Sequence, residues 1–232
     1  MTESSSAATA IAMPPIVSRE EWEAARKELL VLEEAADRQR KAASAARRRL
    51  PMVEITKDYT FAGPDGEVSF LDLFEGRTQL VLNYFMFDPA WKAGCPGCSE
   101  LADSFPHLAH LHARDISVAR ISRAPYPKLA AYNERMGWDV PWYSAFDSDF
   151  SRDFGVTTDQ GEDADTMVFF RDGDRIFQTY TLGGNAHEML MGMLGYLDLT
   201  PYGRQEDNED SPEGWPQQPE YSWMRRHDEY DS

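Results

Sequence analysis

An apolar run that leads into a cysteine pair constrains the fold more than any other stretch. Leu80-Val81-Leu82-Asn83-Tyr84-Phe85-Met86-Phe87 is followed, after a short loop, by Gly94-Cys95-Pro96-Gly97-Cys98. A continuous apolar run of this length reads as a buried strand. Pro96 suits the first turn of a helix, because its missing N–H would have no partner there and its φ is already helical. The residues beyond it predict a helix that begins between Pro96 and Ser99 and runs toward His112. The cysteines therefore stand where a strand hands over to a helix, which points to an α/β layer architecture.

These are the only two cysteines in 232 residues. At a helix start, unpaired backbone N–H groups and the helix dipole favour a thiolate, so Cys95 reads as an attacking nucleophile. Cys98 lies about one turn farther in, where it can attack a mixed disulfide and release the partner. Gly94 and Gly97 leave room for another backbone or a substrate to approach. Together these features predict a dithiol/disulfide oxidoreductase acting on a disulfide-containing protein or a small thiol or disulfide.

The remaining chain divides by composition. Residues 1–15 are rich in Ser, Ala, Thr and Pro and read as a flexible leader. Residues 16–50 form a helical arm, opened by the capping box Ser18-Arg19-Glu20-Glu21 and stopped by Pro51. An α/β domain is expected over 51–202, with short peripheral strands around Val53, Ile55, Tyr59, Phe61 and Val68. Within it, residues 115–122 read as a core strand, 127–136 as a helix stopped by Gly137, and 157–165 as a polar turn. Residues 166–180 read as a hairpin and 186–197 as a closing helix. An acidic linker follows over 203–220, and the aromatic and charged segment 221–232 reads as a docking tail anchored by Trp223 and Tyr230.

Several segments together resemble a bacterial family of poorly characterised thioredoxin-like proteins, sometimes labelled dithiol-disulfide isomerases. They are Ser18-Arg19-Glu20-Glu21-Trp22, Phe85-Met86-Phe87, Gly94-Cys95-Pro96-Gly97-Cys98, Ser122-Arg123-Ala124-Pro125, Gly137-Trp138, Tyr196-Leu197-Asp198-Leu199-Thr200-Pro201 and Arg225-Arg226-His227-Asp228-Glu229-Tyr230. The arrangement over residues 67–197 is similar to the peroxiredoxin-like side of the thioredoxin superfamily. This resemblance implies a thioredoxin-like central mixed sheet flanked by helices, with Cys95 and Cys98 at its working edge. Lys92 stands where the peroxiredoxin pattern has Thr or Ser, and Asp165-Thr166-Met167 carries no proline where thioredoxin-like proteins usually have a cis proline.

Two other classes of function compete. Two thiolates suit copper or zinc, and His227 would supply a nitrogen ligand if the tail docks over the cysteines, giving a metal site of Cys95, Cys98 and His227. His107, His110 and His112 do not share one helical face with Cys98 or with one another, and read as surface or packing residues. Alternatively, the cysteines form an oxidation-sensitive lock in an interaction protein. Trp91 and Arg123 are candidates for the substrate pocket, the first as an aromatic wall and the second as a cation facing a thiolate or an anionic substrate. A net charge of −17 disfavours nonspecific binding to nucleic acid. Neither a membrane span nor a secretory signal is evident, so a cytoplasmic protein is expected. Both extensions offer surface for a homodimer.

Overall fold

The apolar run becomes the middle of a sheet. In the computed structural model, which describes residues 12–230, the chain opens with helix α1 (Arg19–Arg47) and three short strands, β1 (Val53–Ile55), β2 (Thr60–Gly63) and β3 (Gly66–Ser69). Next come β4 (Gln79–Tyr84), α2 (Pro96–Asp103), α3 (Ala109–His112), β5 (Ile116–Ser122), α4 (Tyr126–Met136) and β6 (Trp142–Ser144). Helix α5 (Phe150–Asp153) precedes the small hairpin β7 (Thr157–Thr158) and β8 (Gly161–Glu162). The long hairpin β9 (Asp165–Asp172) and β10 (Arg175–Gly183) is followed by a 3₁₀ segment, Gly184–Leu190, and by α6 (Gly192–Leu197). The leader expected over residues 1–15 falls mostly on residues 1–11, outside the described residues, as do the last two residues of the expected tail.

Within the described residues the chain forms two compact units, 47–192 with 224–230, and 12–46 with 193–223. The first holds one mixed sheet in the order β1-β10-β9-β4-β5-β6-β2-β3. Strands β4, β5 and β6 run parallel, while β9 lies antiparallel to β4 and carries β10 outward. The β4-to-β5 and β5-to-β6 connections carry helices, as parallel neighbours require. The result is a thioredoxin-like α/β fold, a central mixed sheet flanked by helices.

Alternation along β4 sends Leu80, Leu82 and Tyr84 into one core, with Phe61, Phe70, Phe150 and Phe169. Phe85 and Phe87, just past the strand, enter a second cluster with Cys98, Leu129, Tyr132 and Trp142. That second cluster supports the cysteines.

In the other unit, α1 begins with the expected capping box: the Glu21 N–H donates to Ser18 Oγ at 3.2 Å and the Ser18 N–H donates to Glu21 Oε2 at 2.9 Å. Hydrogen bonds from Ser18 hold the Glu21 carboxyl below its usual range. No residue of α1 is buried. Farther along, Glu206 is 1% exposed and accepts from the Tyr221 N–H at 2.7 Å and Trp223 Nε1 at 2.9 Å, so segment 203–223 is organised around one carboxylate. Among the described residues no helix is long and apolar enough to cross a membrane.

Three expectations change in detail. The helix after the cysteines stops at Asp103 and resumes as the short α3; Pro106 between them has no N–H to donate and restricts the residue before it. The closing helix over 186–197 is instead a 3₁₀ segment followed by the short α6, as Gly192 and Gly195 weaken a continuous α-helix there. The polar turn at 157–165 contains the β7–β8 hairpin.

Phe169 is fully buried, with its ring centroid 4.9 Å from that of Phe70 and 5.7 Å from that of Phe154. Phe169→Ala is expected to cost about 3–5 kcal/mol of unfolding free energy. Urea unfolding followed by circular dichroism checks it; a loss below about 1 kcal/mol would contradict this packing.

Candidate functional site

Cys95 is the N-cap of α2 and Pro96 its first residue. The Cys95 N–H donates to the Met86 carbonyl at 3.1 Å, which ties the helix start to the segment just after β4. Its carbonyl accepts the Ser99 N–H at 3.0 Å and Ser99 Oγ at 2.8 Å, and Ser99 Oγ also meets Tyr132 Oη of α4 at 3.0 Å. The bend before Cys95 needs Gly94, because a Cβ there would fall 2.7 Å from Phe85 Cζ and closer still to Phe85 Cε1. The preceding loop is held from α4, where Lys128 Nζ donates to the Pro89 carbonyl at 2.9 Å and to the Trp91 carbonyl.

Both cysteines are reduced; Cys95 is half-buried and Cys98 is 4% exposed. Their environments push the two thiols in opposite directions. The Cys98 thiol donates to Cys95, which is the largest influence on it, and the backbone N–H groups of Cys98 and Gly97 add to this, bringing Cys95 down to about 6. Burial opposes the shift and Arg226 contributes to it. Cys98 is raised well above its ordinary value by the same hydrogen bond, by burial and by the Cys95 charge. A half-buried thiolate beside a buried protonated thiol is the outcome.

The chain's last described segment roofs this pair. Met224 is 7% exposed, with its Sδ 3.7 Å from where a Cβ on Gly97 would lie. Arg226 Nε donates to the Gly94 carbonyl at 3.0 Å, Nη2 donates to the same oxygen, and Nη1 pairs with Glu229 at 2.9 Å. Arg135 of α4 holds Asp228 at 2.7 Å and Glu229 at 3.2 Å.

Of the pocket candidates, Arg123 pairs with Asp88 at 3.6 Å and with Glu162 of β8 at 3.4 Å. Trp91 is 40% exposed on the loop before the cysteines. Glu162 had no signal in the sequence, being one acid within a polar turn. Its side chain is only 2% exposed, and burial pushes its carboxyl up to about 7. Its charge is among those that raise Cys98.

The copper or zinc site of Cys95, Cys98 and His227 is overturned. His227 Nδ1 lies 2.8 Å from Asp103 Oδ1, and Asp103 is five residues beyond Cys98 on α2, about 7.5 Å along its axis. Metal–ligand bonds span only about 2.0–2.3 Å. Among the described residues, no group of three or more His, Cys, Asp or Glu side chains is arranged to hold a metal ion. His107, His110 and His112 form no such group either; His107 Nδ1 accepts the Ala109 N–H at 3.2 Å.

Fold and site define a thioredoxin-like protein with two neighbouring cysteines consistent with a redox-active pair. The chain belongs to the family described as bacterial protein of unknown function (DUF899), whose model matches residues 11–230. No curated protein matches it. Among solved structures it is similar to a mutant of peroxiredoxin Q from Xanthomonas campestris, with 16% identity over 64% of this chain and 98% of that one and a TM-score of 0.44. It is also similar to peroxidoxin BcpB from Mycobacterium tuberculosis, with 21% identity over 64% of this chain and 97% of that one and a TM-score of 0.45.

The thiolate is the reactive form, so alkylation of Cys95 by iodoacetamide is expected to accelerate as pH rises through about 6. Cys98→Ala removes the principal donor and should move that midpoint upward; Arg226→Met should move it upward by less. Mass spectrometry of alkylated peptides across pH reads both shifts. An unchanged midpoint in Cys98→Ala would contradict the assigned cause.

Proposed function

We propose that this protein is a dithiol/disulfide oxidoreductase in which Cys95 attacks and Cys98 resolves. The observation that carries this reading is the opposed pair of thiols at the start of α2, one lowered to about 6 and half-buried, the other raised and buried. In the first step the Cys95 thiolate forms a bond to one sulfur of a substrate disulfide, and the S–S bond breaks to expel the other sulfur as a thiolate. Cys98 then passes its proton through water to Glu162, whose charge it feels, and attacks Cys95. The substrate's second sulfur leaves as a thiolate, and Cys95 and Cys98 remain as a disulfide. Two electrons have passed to the substrate, and an external thiol reductant returns the pair to its starting state.

Glu162 suits the proton-accepting role because a carboxyl near 7 both takes and returns a proton at neutral pH. Arg123, 3.4 Å away, steadies its charged form. The roof of Met224 and Arg226 over Gly97 and Gly94 favours a small disulfide over a folded protein as substrate.

A small aryl disulfide that releases a coloured thiolate tests the assignment. Cys98→Ala is expected to release one equivalent of thiolate and to retain the other half as a mixed disulfide on Cys95, visible as added mass. Failure to trap this adduct in a folded variant whose Cys95 still alkylates would sink the mechanism. Glu162→Gln should leave the first step intact and slow closure of the Cys95–Cys98 disulfide by a factor on the order of 10². Stopped-flow release of the first and second thiolates separates the two steps.

A further inference from the structure

Arg120 is the largest fully buried side chain among the described residues, at 0% exposure. It projects from β5, beside β6, into a layer of aromatic rings. Its guanidinium carbon lies 4.6 Å from the ring centroid of Trp138, 5.3 Å from that of Phe105 and 5.6 Å from that of Trp142. These faces attract a cation, but they do not occupy the N–H donors in the guanidinium plane. Nε, Nη1 and Nη2 all lack a hydrogen-bond partner. Leaving charged donors buried and unmet costs more than the ~1–3 kcal/mol typical of a neutral group. Burial pushes the group down to about 9, which leaves it cationic at neutral pH.

Beside Arg120 lies a cavity of about 350 Å³ between the Phe105–Leu108 segment and the Gly137–Val140 turn. That volume falls in the range of small-molecule sites, about 300–1,000 Å³. Asp103, the acid whose charge Arg120 feels, is committed elsewhere: its Oδ1 accepts Trp138 Nε1 at 2.6 Å and sits 2.8 Å from His227 Nδ1.

We propose that this cavity binds a small monocarboxylate with an apolar body, its carboxylate paired with the Arg120 guanidinium once the Phe105 or Trp138 ring that covers those nitrogens shifts aside. The planar fork of an arginine matches a carboxylate through two parallel hydrogen bonds. Phe105, Leu108, Trp138 and Val140 supply apolar walls for the remainder of the ligand. Asp103 and Asp139 on the same lining repel a dianion about twice as strongly as a monoanion, which disfavours phosphate relative to a monocarboxylate. The site is separate from the sulfur chemistry, since neither cysteine contributes to it.

Isothermal titration calorimetry of the full chain with benzoate, benzamide and inorganic phosphate tests the proposal. Benzoate is expected to bind saturably and at least about tenfold more tightly than benzamide, its neutral counterpart, as the loss of a charged hydrogen-bond pair implies. Phosphate should give no saturable heat. Arg120→Met should lose benzoate binding by about tenfold or more while keeping the pH midpoint for Cys95 alkylation, which serves as its check of folding. Equal binding of benzoate and benzamide, no benzoate binding at millimolar concentration, tighter binding of phosphate, or full binding by a folded Arg120→Met would each overturn it. Should Arg120→Met fail to fold, the comparison among the three ligands on the unaltered chain still decides the matter.

Discussion

The structure around the cysteines depends on one hydrogen bond, from the Cys95 N–H to the Met86 carbonyl, which fixes where α2 starts. A thiolate at Cys95 is tolerable only because Cys98 and the first free amides of α2 face it. Both conditions require that the helix begin at a fixed point and angle. The Met86 carbonyl holds that point through the Cys95 N–H, Gly94 lets the bend pass against Phe85, and Tyr132 steadies the first turn through Ser99. The sheet matters to the site chiefly because β4, paired on both sides by β5 and β9, brings Met86 to this place.

Charge is distributed against the overall balance. The chain carries a net −17, yet cations lie in the vicinity of the paired sulfurs: Arg226 on the Gly94 carbonyl, Lys128 beneath the preceding loop and Arg123 beside Glu162. Two acids near the site, Glu100 and Glu162, are buried enough to be raised toward their neutral forms. Two of the cations are themselves ion-paired, Arg226 with Glu229 and Arg123 with Asp88 and Glu162, and partial burial keeps salt from screening such pairs fully.

Elements with strong local signals were legible in the sequence. The apolar run, Pro96 after Cys95, the Ser18–Glu21 box and Gly137 at the end of α4 each act through neighbours only a few residues away, and each stands where its chemistry indicates. Groups whose roles arise from distant contacts were not legible. Glu162 is a single acid in a two-residue strand, and only the folded chain buries it against Arg123. Arg120 interrupts an apolar strand without any periodic cue to the three rings around it. His227 has the residue type of a metal ligand, and the tail does pack beside α2. Its ring turns to Asp103 at the opposite end of that helix, a choice of direction that linear spacing does not encode.

The Met224 and Arg226 roof has a consequence for biogenesis. Arg226 lies 132 positions after the Gly94 carbonyl it grips, so a ribosome has already released the strand, the bend and both cysteines before that cation is made. Until the trailing segment seats, Cys95 lacks the smallest of the influences that lower its thiol, while the Cys98 and helix-start donors need only the earlier residues.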